Sequence, residues 1–185
     1  MKIFLVGVAC IGKTTIGKRL ADRLECQFFD FDEEIEKYFS MPVSRIKARF
    51  LTEYSFRKEA SKALKRLIEQ AGDRDYLVAM PPSGLKDSYW RILKKLDAVI
   101  VVLRDRAGNI LDRVTFYDDD SNLIHKELTP KEKAYYLEEI QKDMAYFGDS
   151  YRRAHHSVNI AGSGIEGSVD KIVKCLQDNS GIARM

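Results

Sequence analysis

The chain has 185 residues, of which 45% are hydrophobic and 32% charged, the balance of a globular protein with a core of its own. Its 31 Lys and Arg against 28 Asp and Glu leave a formal charge of +3. That is too mild for a nucleic-acid surface, and no apolar run approaches a membrane span.

Lys2-Ile3-Phe4-Leu5-Val6 is a short apolar run that reads as a buried strand. With a core strand at the start, no signal peptide is expected. The strand runs into Gly7-Val8-Ala9-Cys10-Ile11-Gly12-Lys13-Thr14, which fits G-x-x-x-x-G-K-[ST] at every fixed position. Thr15 to Leu24 follows as a helix, with Ile16, Leu20, Ala21 and Leu24 on one face. Strand, glycine-bounded loop and helix together turn the pattern into a candidate phosphate site. Its backbone N–H groups can converge on one anion at the positive end of the helix. Lys13 is expected to reach the β- and γ-phosphates and Thr14 to hold Mg²⁺. Cys10 inside the loop reads as a small space-filling residue, with a reactive thiol as the alternative. Cys10, Cys26 and Cys175 form neither a disulfide framework nor a metal pattern, so a reducing cytoplasm is expected.

Phe28-Phe29-Asp30-Phe31-Asp32 reads as the second strand, and its two carboxylates point the same way at alternate positions. Beside a phosphate loop, one suits a metal's water shell and the other a substrate hydroxyl. Asp32 could also cap the helix predicted from Glu33 to Phe39. Ser44 is expected to cap a further short helix, and Arg45, Lys47 and Arg49 cluster positive charge after it. Phe56-Arg57 opens a longer helix with Ala60, Ala63, Leu64, Leu67, Ile68 and Ala71 at core spacing. Tyr76 to Met80 is the third strand, ending in the loop Pro81-Pro82-Ser83-Gly84. Trp90 and Leu93 pack the next helix. Ala98 to Leu103 is a wholly apolar, β-branched strand of the kind covered on both faces.

Asp105 to Arg113 reads as a helix. Residues 114–128 lack periodicity, contain Asp118-Asp119-Asp120, and have the length of a lid. Thr129 caps a helix with Pro130 in its first turn, and Tyr136, Ile140, Met144, Phe147 and Tyr151 form its core stripe. Arg152 and Arg153 precede a last strand, His156 to Ile160. The adjacent His155 and His156 read as strand-edge residues rather than ligands. Gly162, Gly164 and Gly167 surround a turn before the final helix. The alternation predicts an α/β three-layer fold, one five-stranded parallel sheet with helices on both faces and the nucleotide at the carboxyl ends of the strands.

The motif Gly7 to Gly17, the run Phe29-Asp30-Phe31-Asp32 and the pair Phe56-Arg57 resemble shikimate kinase in order and spacing over most of the chain. The resemblance implies the P-loop kinase fold with strand order 2-3-1-4-5 and a single domain over 1–185. A substrate-binding helical region falls at about 32–60 and a lid at about 114–128. It implies ATP and Mg²⁺ as cofactors and phosphoryl transfer to the 3-hydroxyl of shikimate, in aromatic amino acid biosynthesis. Gly7, Ala9, Cys10, Ile11, Gly12, Lys13, Thr14, Thr15 and Arg113 would bind ATP, Arg113 by stacking on adenine, with Ala161 to Gly164 as the adenine loop. Thr14 and Asp30 would serve the metal, Lys13 and Asp32 the catalysis. Asp32, Arg57, Ser83 and Arg152 would contact the acceptor. The protein is expected to act as a monomer, with a homodimer as the alternative, on a small molecule and without nucleic acid or membrane.

Two segments depart from the family pattern. Pro81-Pro82-Ser83 replaces a triple-glycine loop, so two backbone donors are missing. The lid has Tyr117-Asp118-Asp119-Asp120 and no Arg-Pro pair, with Lys126 as its one lysine. A same-fold kinase for a sugar acid or a nucleotide, and a nucleotide-binding regulator without catalysis, are therefore the alternatives.

Overall fold

A computed structural model describes residues 1–118, 120 and 122–180, with side chains through Asp178. The apolar run at the start forms β1 (Lys2–Val6), whose Ile3, Phe4, Leu5 and Val6 are wholly buried. It is the central strand of a five-stranded parallel sheet. β3 (Tyr76–Ala79) lies on one side, with Phe4 opposite Val78, and β4 (Val99–Arg104) on the other, with Phe4 opposite Ile100. β2 (Gln27–Asp30) and β7 (His156–Asn159) form the edges, giving the order β2-β3-β1-β4-β7. This is the expected 2-3-1-4-5, with the last strand renumbered because residues 114–128, expected to be a lid, contain a small hairpin, β5 (Phe116–Tyr117) and β6 (Leu123–Ile124).

α1 (Lys13–Arg23) crosses the sheet with Ile16, Gly17, Leu20 and Ala21 buried. On the same side, α8 (Ile165–Ser180) is joined to it by ion pairs from Arg19 and Arg23 to Glu166 and from Arg23 to Asp170. α2 (Phe31–Phe39), α3 (Val43–Lys47), α4 (Glu53–Ala71) and α5 (Asp87–Leu93) gather near β2 and β3. α6 (Ala107–Leu111) packs on α7 (Pro130–Tyr151). His155 closes the β4–β7 edge: its Nδ1 accepts the Ile100 N–H at 2.9 Å, and its own N–H donates to the Ile100 carbonyl. A structural histidine is thus what the sequence predicted there.

Several boundaries differ from expectation. Asp30, not Asp32, caps α2, its Oδ1 accepting the Asp32 N–H at 3.1 Å; the strand ends there because a capped helix begins at once. α3 begins before Ser44, after Pro42, whose fixed φ turns the chain. α4 begins three residues before Phe56, because Thr52 caps it by accepting the Ser55 N–H. α6 is shorter than Asp105 to Arg113; Asp105 turns its carboxylate back to the Arg106 N–H. α7 has the capping box that Thr129 and Glu132 form, but its stripe is only partly buried until Tyr151. The lid hairpin covers its start, where Phe116 packs on Tyr136 at 5.3 Å between ring centroids.

α1 approaches the sheet closely at Gly17, where a Cβ would come within 2.7 Å of Phe28 and 3.2 Å of Leu77. Gly17→Val is expected to cost about 1–3 kcal/mol through overpacking, read as a lower urea midpoint. An unchanged midpoint would show that this helix–sheet contact does not limit packing.

Candidate active site

The phosphate loop is anchored by its apolar members. Val8 and Ile11 are buried in the core, while Ala9 and Cys10 face outward. Gly12 takes φ +103° as the chain enters α1, a conformation that glycine holds at little cost because it has no Cβ. At Gly7 a Cβ would stand 3.1 Å from the Leu103 carbonyl, so the loop also needs its first glycine for close approach to β4.

Lys13 folds back over the loop, donating to the Gly7 carbonyl at 3.0 Å and the Val8 carbonyl at 2.8 Å. Burial pushes its ammonium down to about 8, against the opposing pull of Asp32 and Asp30. Thr14 Oγ1 donates to Asp30 Oδ2 at 2.6 Å. Asp30 therefore joins the two halves of the site, one oxygen on Thr14 and the other on the start of α2. Asp32, one residue into the helix, opens to the same cleft. Water reaches it, yet the surrounding cleft walls, followed by the charge of Asp30, hold its carboxyl above the usual range.

These groups line a cleft of about 980 Å³ at the carboxyl ends of the strands. Ala9, Cys10, Gly12, Lys13, Thr14, Thr15, Asp30, Asp32 and Arg113 all border it, so the structure brings most of the predicted nucleotide residues together. Gly7 and Ile11 support the loop from below, buried in the core. Arg113 is held by Asp105 and donates from Nε to the Asn109 carbonyl at 2.9 Å. Pro81 and Pro82 form one wall, and Thr115, Tyr117 and Asp118 of the lid segment form another. Arg45 of α3 pairs with Asp120 at 2.5 Å, so the hairpin meets the helical region around the cleft. Asp119 lies outside the described residues. Beside the cleft, Thr14, Thr15, Lys18, Arg19 and Gly164 border a second hollow of about 670 Å³.

The expected acceptor residues divide differently. Arg57 is buried and lines a separate polar pocket of about 480 Å³ with Lys86, Asp87 and Arg153. Arg152 lines neither cavity; it is exposed and paired with Asp149. Arg153 occupies the pocket side instead, donating to the Leu85 carbonyl at 2.6 Å and lying over Trp90. At the end of a helix, one residue decides which face a side chain takes, and nothing in the pair Arg152-Arg153 signals that phase. Ser83 lines neither cavity, and its carbonyl closes a turn with the Lys86 N–H. Lys126 is drawn off by Glu132 at 2.8 Å and the rings of Phe116 and Tyr136, so it does not border the cleft.

A family model, shikimate kinase, matches residues 9–177. The chain belongs to the shikimate kinase family. It is 33% identical over 130 residues to shikimate kinase 1 of Escherichia coli, covering 70% of this chain and 72% of that enzyme. It is 44% identical over 85 residues to the bifunctional shikimate kinase/3-dehydroquinate synthase of Thermotoga maritima. That match takes in 46% of this chain and only 16% of the bifunctional protein, so the chain spans a small part of it. Among solved structures, shikimate kinase from Acinetobacter baumannii in complex with shikimate superposes with TM-score 0.72 and 23% identity, over 96% of this chain and 93% of that one. This likeness establishes the shared fold. Within this shikimate kinase family member, the phosphate loop keeps every fixed residue of G-x-x-x-x-G-K-[ST], and the loop after β3 is Pro81-Pro82-Ser83.

The lowered Lys13 gives a pH signature. Below about 8 the amine is charged; if it holds the nucleotide's phosphates, binding above that pH is accompanied by proton uptake. ATP dissociation constants measured by titration at fixed free Mg²⁺ should rise above pH 8, approaching about tenfold per pH unit. A constant affinity from pH 7 to 9.5 would contradict this placement of Lys13.

Proposed function

We propose that the protein phosphorylates the 3-hydroxyl of shikimate with ATP, as a cytoplasmic enzyme acting on a small molecule. The observation that carries the reading is the single cleft shared by Lys13, Thr14, Asp30 and Asp32, with an anion-binding arginine, Arg57, nearby. The domain assignment follows: one kinase domain, with 32–60 serving the acceptor and 114–128 the lid.

Mg²⁺ fits this donor set. Thr14 and Asp30 place hard oxygens 2.6 Å apart beside the phosphate loop. Among the described residues no three His, Cys, Asp or Glu side chains form a metal cluster. A cation here would therefore rest on the Thr14 hydroxyl, on Asp30 through water, and on the nucleotide itself. When bound, it supplies neutralisation of phosphate charge.

The chain's own residues do the rest. The backbone N–H groups from Ala9 to Thr15 cradle the phosphates. Lys13 leaves the Gly7 and Val8 carbonyls for the transferring phosphoryl group, where its charge opposes the charge that develops. Arg113, the second cation bordering the cleft, stacks on the adenine or meets the phosphates from the lid side. Asp32 accepts a hydrogen bond from the acceptor hydroxyl and aims it; its raised affinity for protons suits it to take the proton as transfer proceeds. Arg57 offers a planar fork to a carboxylate. Arg153 takes the second cationic position, with Arg152 at the rim and Ser83 in the turn behind the proline wall.

A second reading has its own support. Pro81 and Pro82 wall the cleft where backbone donors are expected, and Arg57 is already engaged by Asp87. The same machinery could thus serve another small hydroxy acid.

ADP release from Mg-ATP, measured with and without shikimate, tests the proposal. Shikimate-dependent release is the expected result; release independent of shikimate, or none, would refute it. Lys13→Ala should lose at least about 10²-fold in kcat with an unchanged far-UV spectrum. Arg57→Lys keeps the charge but loses the fork. It should raise the shikimate KM by more than about tenfold while leaving the ATP KM in place. Parallel changes in both constants would remove Arg57 from the acceptor site.

A further inference from the structure

The polar pocket behind the proline wall contains an arginine that already holds a carboxylate. Arg57 is 7% exposed and donates from Nε to Asp87 Oδ2 at 2.9 Å, with Nη2 at 2.7 Å from the same oxygen. Glu53 stands further off, 3.4 Å from Nη1. Asp87 is one-third exposed at its side chain and faces a hollow of about 480 Å³ bordered by Tyr54, Lys86, Tyr146 and Arg153. Its backbone sits at φ +46°, a left-handed conformation that a non-glycine residue holds at some cost. Lys86 is turned away over the Tyr146 ring, 3.3 Å from its centroid, and Arg153 is spent on the Leu85 carbonyl.

A buried guanidinium needs a partner, and the sequence supplies one from the same segment that forms the wall of the cleft. Pro81 and Pro82 border the cleft, while Lys86 and Asp87 border the pocket. The segment between these faces can thus couple the two. A ligand carboxylate that reaches Arg57 meets a fork already filled.

We propose that Asp87 sets the affinity for anionic acceptors as an internal competitor: its carboxylate fills the Arg57 fork, and an anionic acceptor binds by displacing it. This rests on the reading of Arg57 as an acceptor clamp. The displaced Asp87 side chain turns into the hollow it already faces, which Lys86 and Arg153 border. The cost of displacement lowers the affinity of every competing carboxylate by the same factor, so binding relies on further contacts, chiefly a hydroxyl on Asp32.

Equilibrium binding of shikimate and of its methyl ester to the wild type, Asp87→Asn and Asp87→Gly provides the test. Both replacements suit a positive φ. If the internal pair fills the fork in about nine molecules of ten, removing its charge tightens shikimate about tenfold. The methyl ester, which offers no charge to Arg57, and Mg-ATP should bind as before. Unchanged or weaker shikimate binding in both variants would overturn the proposal and make Asp87 a support that holds Arg57 in place. Equal tightening of acid and ester would also overturn it. Because binding is read without turnover, a wild type that fails to phosphorylate shikimate would refute the proposed activity alone. The competitor role would stand or fall on the variants.

Discussion

The hydrogen bond from Thr14 to Asp30 is the constraint on which the site depends. It joins the second residue of α1 to the last residue of β2, although β3 lies between β2 and the strand β1 that leads into α1. The other oxygen of Asp30 caps α2. The same side chain thus ends a strand, starts a helix and fixes the Thr14 hydroxyl beside the phosphate loop. Asp32 enters the cleft one residue into that helix. Lys13 completes the arrangement from within the loop, held by the Gly7 and Val8 carbonyls until a stronger anion takes their place.

The acceptor side is organised by a different device. A triple-glycine loop would present backbone donors; Pro81 and Pro82 cannot. Here the loop is held by its carbonyls. The Tyr151 hydroxyl donates to Pro82 at 3.0 Å, and Arg153 donates to Leu85. The first is the last residue of α7 and the second lies two residues beyond it, and the start of α7 carries the β5–β6 hairpin through Phe116 and Tyr136. One long helix therefore touches the lid at one end and the acceptor wall at the other.

Legibility in the sequence followed the range of the forces. The phosphate loop could be read because each fixed residue meets a local demand: a left-handed turn, a helix start, a hydroxyl, a cation. The centre of the sheet could be read because β1, β3 and β4 are short apolar runs of the kind buried parallel strands need, whereas the edge strands β2 and β7 are mixed in polarity. Asp30 and Asp32 were readable as a pair, but not their division of labour, since a strand continuing to Asp32 and a helix capped at Asp30 share the same residues. The hairpin at Phe116–Tyr117 and Leu123–Ile124 is too short to leave a period. The Arg57–Asp87 pair, 30 positions apart, has no local signal at all, and neither does the choice of Arg153 over Arg152. Contacts made by one side chain across the fold depend on packing that a linear pattern does not encode.

The most direct test of the central claim is the affinity of ADP measured by calorimetry in the presence and absence of Mg²⁺, in the wild type and in Asp30→Asn. If Thr14 and Asp30 form the metal side of a phosphate site, Mg²⁺ tightens ADP binding in the wild type and the tightening is largely lost in the variant. Binding that is indifferent to Mg²⁺, or a variant in which Mg²⁺ helps as much as before, would contradict the account.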